Sequence, residues 1–405
     1  MTRCILCENN DVESILDLGL SSVANNLENE QKNSLSSSRI PLVLGRCKGQ
    51  CGHIQIIDRV DENQIFENYL YTPSNSTTLV AHFKNIISGL RKNYSLGQSS
   101  FLIDIGSNDG TFLENAIKYT PNILGVDPAE NLADCANKKG IKTINKYFNS
   151  NTAKDIEMEY GKADFIISTN TFAHTPEIRE FVKGLKLLLK EEGTIVIEVH
   201  YLGSLIDGNA FDTIYHEHFS YWSLTNMVRI FNEYELDIFD AEIVDVHHGQ
   251  LNIKASHYGY RRIKESVNKI LQEEKKIKIH SDYLDKFCFR VQDMKLEITN
   301  LLSELNNNNK KVIGYGAPAK ATTMVNFLDL DLIDKTYDKS TLKQGKYIPG
   351  TNIVIKNPED IIEDNPDAIF IFSWNFVEEI ISEIKNKYKY SGEFIIPLPE
   401  VKIVR

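Results

Sequence analysis

Short apolar runs alternate with amphipathic stretches along most of the chain, regularly enough to predict its elements. A helical spacing of apolar positions over 79–92 leads into an apolar run at 101–105. Helix 111–118, strand 122–126, a helix around 129–138, strand 163–168, helix 177–190 and strand 194–199 follow. Strands alternating with helices in this way predict a doubly wound parallel sheet, because each helix crosses a face of the sheet to return the chain in the same direction. Residues 237–256 read as two paired strands, expected as an antiparallel edge of that sheet. Phe287, Val291, Met294, Ile298, Leu301, Leu302 and Leu305 then fall on one stripe of a long helix, expected to pack as ordinary core. The stretch 306–309, all asparagine, ends that helix, and a second alternation begins: strand 311–315, helix 318–327, strands 333–337 and 352–355, helix 358–363, strand 367–372, helix 376–387 and strand 393–397. The predicted class is α/β, with a small N-terminal metal-binding unit, a central doubly wound sheet and a C-terminal Rossmann-like unit.

A chain of 405 residues exceeds what one core usually serves. The composition shifts divide it at 1–75, 76–260, a connecting helix at 261–305, and 306–405. Within the first part, Glu28 to Ser38 is rich in Asn, Ser and Lys and is expected to be a mobile loop. A net charge of −11 and a pI near 5.5 exclude a general binder of nucleic acid or of anionic membrane surfaces. No apolar run reaches the roughly 18 residues of a membrane span, and Cys4 and Cys7 stand where a signal peptide would need an apolar stretch. A soluble, cytoplasmic protein is expected, as a monomer or small homo-oligomer.

Four of the six cysteines form two close pairs, Cys4-Ile-Leu-Cys7 and Cys47-Lys-Gly-Gln-Cys51. In a reducing compartment each short loop folds two thiolates toward one ion, and four thiolates complete the tetrahedral shell of a structural zinc. Two disulfides are the alternative, and His53 could replace one ligand. Cys135 and Cys288 are isolated and expected to behave as small hydrophobes.

Two strand-loop-helix turns differ in electrical character. Phe101-Leu-Ile-Asp-Ile-Gly-Ser-Asn-Asp-Gly110 carries carboxylates, whereas Lys311-Val-Ile-Gly-Tyr-Gly-Ala-Pro-Ala-Lys320 carries none and ends in lysine. Glycines in such turns let a ligand approach the backbone and aim N–H groups at it. A pyrophosphate against Asp104 and Asp109 would meet like charge, while a sulfonium and an α-amino group would meet opposite charge. The first turn, Asp104, Gly106, Ser107, Asn108, Asp109 and Gly110, is therefore expected to hold S-adenosylmethionine rather than NAD. Asp127, after the next strand, is placed to accept hydrogen bonds from ribose hydroxyls, a role shared with NAD folds. Asn170 is a neighbour for the cofactor's amino-acid end, and His174 should enter the same crevice. In the second turn, Gly316, Ala317 and Lys320 suit a diphosphate. Trp374 and Asn375 either stack on and read a base or are a buried Trp with a capping Asn.

The segment Asp212-Thr-Ile-Tyr-His-Glu-His-Phe-Ser-Tyr-Trp-Ser223 concentrates titratable and aromatic groups beyond Glu198 and His200. Where the backbone is extended, His216 and His218 share a face with Glu217 opposite. A metal site is one alternative, although the four-residue histidine spacing of helical zinc proteases is missing. General-base chemistry by Tyr215, Glu217 and His218 is the other, with a carboxylate beside a histidine fixing its tautomer.

These motifs in combination, the four-cysteine unit, Asp-Ile-Gly-Ser-Asn-Asp-Gly, Tyr-His-Glu-His, Gly-Tyr-Gly-Ala-Pro-Ala-Lys and Lys343-Gln-Gly-Lys-Tyr-Ile-Pro-Gly350, resemble the sugar C-methyltransferase family over essentially the whole chain. The resemblance implies an S-adenosylmethionine-dependent enzyme acting on a nucleotide-linked 4-keto-6-deoxysugar. It implies His218 as the base that removes the C3 proton, and Tyr215, Glu217 and His174 as supporting residues around the sugar. A tyrosine near the substrate is also implied, which Tyr69 or Tyr71 could supply, Tyr69 being preferred. Tyr337–Lys343 and the serine before Trp374 differ from the family's usual forms, which leaves the base open. O-methylation of such a sugar, a non-catalytic nucleotide-sugar-binding protein and a nicotinamide dehydrogenase are the competing expectations.

Overall fold

The computed structural model describes all residues except Met1, Glu67, Asn68, Leu70, Tyr71, His247, His248 and Asp331. The expectation for Tyr71 therefore lies outside the described residues.

Seven strands make the central sheet, in the order Leu236–Val244, Gln250–His257, Leu189–His200, Ala163–Thr169, Phe101–Ile105, Asn122–Val126, Thr143–Ile144. The last five run parallel, and the first two add as an antiparallel edge, as the alternation predicted. Leu102, Ile103, Ile166, Ile167, Ile195 and Ile197 are fully buried, because helices cover both faces. Each such side chain contributes about 1.5–3 kcal/mol relative to exposure. Phe101–Ile105 pairs with Asn122–Val126 on one side and Ala163–Thr169 on the other, so consecutive connections leave in opposite directions and open a crevice at the strands' C-terminal ends.

Several elements of this domain were not predicted, among them the helices Leu202–Asp207 and Leu224–Glu233, the short strand Thr143–Ile144 and the helix Ser150–Tyr160. The helix buries only Ser150, Thr152, Ala153 and Ile156, too weak a stripe to read, and it starts because the Asn149 side chain accepts from the N–H groups of Asn151 and Thr152. The expected single connecting helix is two, Glu265–Ile277 and Asp282–Asn307, separated at Lys278, which adopts φ +52°. The second helix buries Phe287, Val291, Met294, Ile298 and Leu302. The C-terminal sheet has the order Val354–Lys356, Lys335–Tyr337, Val312–Tyr315, Ala368–Ile371, Glu393–Ile396, Lys402–Val404, parallel except for the final antiparallel strand.

The N-terminal unit is an antiparallel sheet of Val12–Ser21, Ile40–Cys47 and Ile54–Ile56, completed by Ser220–Tyr221 from the central domain. Its polar insertion is not the mobile loop expected. Residues Gln31–Leu35 form a helical turn, Glu28 exchanges backbone hydrogen bonds with Tyr347 at 3.2 and 2.8 Å, and the fully buried Ser34 hydroxyl lies 2.8 Å from the carbonyls of Ile348 and Thr351. The polar composition serves an interface with the C-terminal unit, whose backbone groups supply the partners.

Candidate active site

One cavity of about 670 Å³ opens at the C-terminal ends of the central strands and continues to the C-terminal unit. At one end lie Asp104, Gly106, Ser107, Asn108, Asp127 and Asn170. Asp104 is almost fully buried, its Oδ1 has no hydrogen-bond partner among the described residues, and burial beside Asp127 pushes it up to about 8. Asp127 is pushed up to about 6 by burial, against the N–H groups of Ala129 and Asn108 that its oxygens accept at 2.9 and 2.7 Å. An unpartnered buried carboxyl beside a glycine fits a cationic ligand, which would draw Asp104 into its ionised form. Gly106 holds φ +74°, and a Cβ there would stand 1.9 Å from Thr171 Oγ1, so the turn tolerates no side chain. Gln250 donates to Asn170 Oδ1 at 2.7 Å and fixes that amide.

Asp109 and Gly110 do not line the cavity. The Asp109 carboxylate turns back to the start of the following helix, where it accepts from Thr111 Oγ1 at 2.6 Å and Thr111 N–H at 3.3 Å, and pairs with Lys139 at 3.1 Å. Gly110 adopts φ +80° and packs on Ala136 and Ile141. Both shape the turn from behind.

The middle of the cavity holds three histidines. His218, His174 and His200 approach with ring centroids 4.9 Å apart for each of the pairs with His218, and the Tyr215 ring lies 4.2 Å from it. Local hydrogen bonds bring them together: Phe219 N–H donates to Ala173 carbonyl at 2.8 Å, tying the loop of His218 to that of His174, and Leu202 N–H donates to Trp222 carbonyl at 2.8 Å near His200. Burial holds His218 and His174 at about 3, so both are neutral at neutral pH. His218 Nδ1 lies 2.9 Å from the Thr213 carbonyl, which can only accept. Nδ1 therefore carries the proton and Nε2 is the basic atom.

The carboxylate expected to fix that tautomer does something else. Glu217 accepts from Asn25 Nδ2 at 2.7 Å and from the Tyr69 hydroxyl at 3.1 Å, and burial pushes it up to about 7. His216 is fully buried with Nε2 3.2 Å from the Pro41 carbonyl. The loop is a turn rather than an extended strand, so the three side chains reach separate partners.

At the far end, Lys320, Trp374 and Asn375 line the cavity, and Gly316 and Ala317 frame the turn behind them. Lys320 lies over the Trp374 ring at 4.3 Å and 3.7 Å from buried Asp212, which also accepts from the indole at 2.6 Å. Lys320 is thus already paired, and Lys343, whose Nζ donates to Ala317 carbonyl at 2.7 Å, is a second cation on the wall. Asn25, His200, Asp338 and Lys343 were given no site role from sequence. His200 ends its strand at the crevice, a signal that was available; Asn25 lies far away in sequence and has none.

The Cys4, Cys7, Cys47 and Cys51 sulfurs gather within 4.8 Å of one another, with contacts of 3.7, 3.5 and 3.2 Å and no disulfide. Tetrahedral zinc–thiolate geometry places sulfurs about 3.8 Å apart, so the shell fits the ion. His53 is not part of it; its Nε2 lies 3.0 Å from Ser220 Oγ. Cys135 and Cys288 are half-buried.

No helix among the described residues is long and apolar enough to cross a membrane. Three family models match in order: "Putative zinc binding domain" over residues 4–66, methyltransferase domain over 82–240 and C-methyltransferase C-terminal domain over 245–399. The chain is 30% identical over 407 residues to C-methyltransferase NovU of Streptomyces niveus, covering 99% of this chain and 96% of that protein. Among solved structures, a SAM-dependent methyltransferase from Anabaena variabilis aligns with 43% of this chain and 84% of its own at 16% identity and a TM-score of 0.36. An S-adenosylmethionine-dependent methyltransferase from Clostridium acetobutylicum covers 44% of this chain and 92% of its own at 13% identity and a TM-score of 0.37. The full-length relative and the three matched parts agree with the motifs, and the chain belongs to the C-methyltransferase family as an S-adenosylmethionine-dependent enzyme with an N-terminal zinc-binding domain.

Proposed function

We propose that the enzyme methylates carbon 3 of a nucleotide-diphospho-4-keto-6-deoxysugar, with His218 removing the proton from that carbon. The observation that carries this is the single cavity joining the acidic cofactor turn, the histidine cluster and the Lys320–Trp374 end. S-adenosylmethionine supplies the electrophile, a methyl group on a positively charged sulfur, and Asp104, Asp127 and Asn170 are the residues to hold it. A C–H bond next to a ketone is acidified because its electron pair can move onto the ketone oxygen. His218 Nε2 takes the proton, and the carbon left electron-rich bonds to the methyl as the methyl–sulfur bond breaks, its electron pair staying on sulfur. His174 and Tyr215 flank the sugar beside His218, while Tyr69 from the N-terminal side closes over it. Lys320, Trp374 and Asn375 face the nucleotide. With a 13C-labelled methyl donor, NMR of the product should place the label on carbon; a label on oxygen would sink the proposal in favour of O-methylation.

The pH dependence should come from Glu217, not from the histidines. Both Glu217 oxygens face donors, Asn25 Nδ2 and Tyr69 OH, so the ionised form suits the site and protonation breaks one of those bonds. With Glu217 pushed up to about 7, and with S-adenosylmethionine saturating so that Asp104 stays ionised, kcat/KM for the sugar should rise with pH through an apparent value near 7 and level off above it. In Glu217→Gln the acidic limb should vanish at a lower plateau. An unchanged limb in that variant would assign it to another group.

A further inference from the structure

One helix of the C-terminal unit, Ala319–Leu328, reaches the loop of the central domain that carries the histidines. It packs on the turn Phe211–Thr213 and on the strand Val12–Ser21, with Phe327 against the Phe211 ring at 5.2 Å. Two adjacent threonines in it, Thr322 and Thr323, are almost fully buried. A threonine inside a helix ordinarily turns its hydroxyl to a carbonyl of the preceding turn or out to water. These two donate across unit boundaries instead, Thr322 Oγ1 to the Ala24 carbonyl and Thr323 Oγ1 to the Ile214 carbonyl, each at 3.0 Å. Ala24 precedes Asn25, which holds Glu217. Ile214 lies inside the loop of His218. Three consecutive carbonyls of that loop accept hydrogen bonds: Thr213 from His218 Nδ1 at 2.9 Å, Ile214 from Thr323, and Tyr215 from the His218 N–H at 2.9 Å. His218 closes its own turn with two of the three. Such bonds set the shape of the turn, while its orientation comes from contacts outside it. Phe219 N–H on the Ala173 carbonyl fixes its exit, and Thr323 fixes its entry.

We propose that Thr323 is a positioning residue for His218: its hydroxyl holds the peptide between Ile214 and Tyr215, so that Nε2 is aimed at the carbon to be deprotonated. The C-terminal unit then contributes to the chemical step as well as to binding. The inference rests on the reading of His218 as the base. Ile214 is fully buried, so without the hydroxyl its carbonyl loses its donor in the interior, and the loop shifts to regain one. A base displaced in this way still accepts a proton, but from the wrong distance and angle. Proton removal slows while ligand affinities hold.

Two pairs isolate the hydroxyl in the zinc-loaded full chain: wild type against Thr323→Val, which trades it for a methyl group, and Thr323→Ser against Thr323→Ala, which differ by the oxygen alone. The probes are 4-keto-6-deoxyglucose and its 2-deoxy form, each linked to dTDP and to UDP. Two rates are read, single-turnover methyl transfer and, with S-adenosylhomocysteine bound, solvent deuterium entry at the carbon beside the ketone. In each pair the member without the hydroxyl should lose about ten- to a hundredfold in both rates, the range for a reacting group displaced by up to about 1 Å. Half-saturating sugar concentration and S-adenosylhomocysteine affinity should hold, and Thr323→Ser should restore both rates. Tyr390→Phe is the control for general loosening of the same unit: its hydroxyl bonds the Asp367 and Glu393 carbonyls at the opposite ends of the C-terminal strands, and its loss should leave both rates unchanged. Equal rates within a pair, a loss confined to the half-saturating concentration, or a matching loss in Tyr390→Phe would overturn the assignment. Should one pair fail to fold, the other decides; loss of S-adenosylhomocysteine binding in both Thr323→Val and Thr323→Ala would make the hydroxyl structural and overturn it as well. His218→Ala, run alongside, separates the two readings. If it keeps deuterium entry, or if the wild type acts on none of the four sugars, the proposed reaction falls and this inference with it; if it abolishes entry while the pairs do not differ, the inference alone falls.

Discussion

His218→Ala should lower kcat for methyl transfer by about a thousandfold while S-adenosylhomocysteine still binds. The size follows from general-base catalysis, where a positioned base contributes roughly 10²–10⁴-fold. The middle of the cavity offers His174, His200 and the buried His218, with the buried carboxylate of Glu217 next to it in the chain, and the choice among them is geometric. His218 combines a cavity-lining ring, a tautomer set by a carbonyl that cannot donate, and contact with His174, His200 and Tyr215 at once. Glu217 is committed to Asn25 and Tyr69. Burial keeps the imidazole neutral, hence ready to accept, and the imidazolium it becomes is balanced by the enolate made in the same step. Solvent deuterium entry at the carbon beside the ketone should be lost together with methyl transfer. His200→Ala, by contrast, should retain measurable exchange. Turnover and exchange within a few-fold of wild type in His218→Ala would remove His218 from the role of base.

The contrast between Asp104 and Asp109 shows what local sequence can and cannot resolve. Both belong to one carboxylate-rich turn, and charge alone sends both toward a cationic ligand. The structure sends Asp104 to the cavity wall and Asp109 to the start of the next helix, a choice made by Thr111 and by Lys139, which comes from the following helix-loop unit. Likewise the alternation of strands and helices was legible because burial on both faces makes each strand a continuous apolar run, whereas Ser150–Tyr160 was not, because its start depends on one asparagine cap and its buried side is small. The Tyr-His-Glu-His segment was recognisable as chemistry, but its partners Asn25 and Thr213 were not, since a backbone carbonyl carries no sequence signal and Asn25 reaches it through the fold. The polar insertion misled for the same reason: Ser34 and Glu28 look like loop until Tyr347–Thr351 arrive to bond them.

That dependence on the N-terminal unit makes zinc loss the second large effect, and it should reach catalysis as well as stability. In Cys47→Ser the zinc content should fall well below one per chain, the melting temperature should drop by about 10 °C, and methyl transfer should fall by at least about a hundredfold. Structural zinc sites contribute roughly 10–16 kcal/mol of apparent binding free energy in isolated peptides, so losing even part of it outweighs any single contact here. The route to the active site is short, two stretches of backbone joined by one strand pairing. Ile54 and Gln55, three and four residues after Cys51, pair with Tyr221 and Ser220, which follow His218 by three and two residues. The buried His53 ring reaches Ser220 Oγ at 3.0 Å, and Asn25 of the same unit holds Glu217 at 2.7 Å. Releasing the four thiolates therefore loosens both neighbours in Glu217–His218, while Asp104, Asp127 and Asn170 stand on the central sheet and keep their positions. S-adenosylhomocysteine affinity should change far less than turnover. A zinc-free Cys47→Ser enzyme with wild-type kcat would show that the metal unit only decorates the fold, and equal losses in cofactor affinity and turnover would show that the whole chain, rather than the catalytic loop, depends on it.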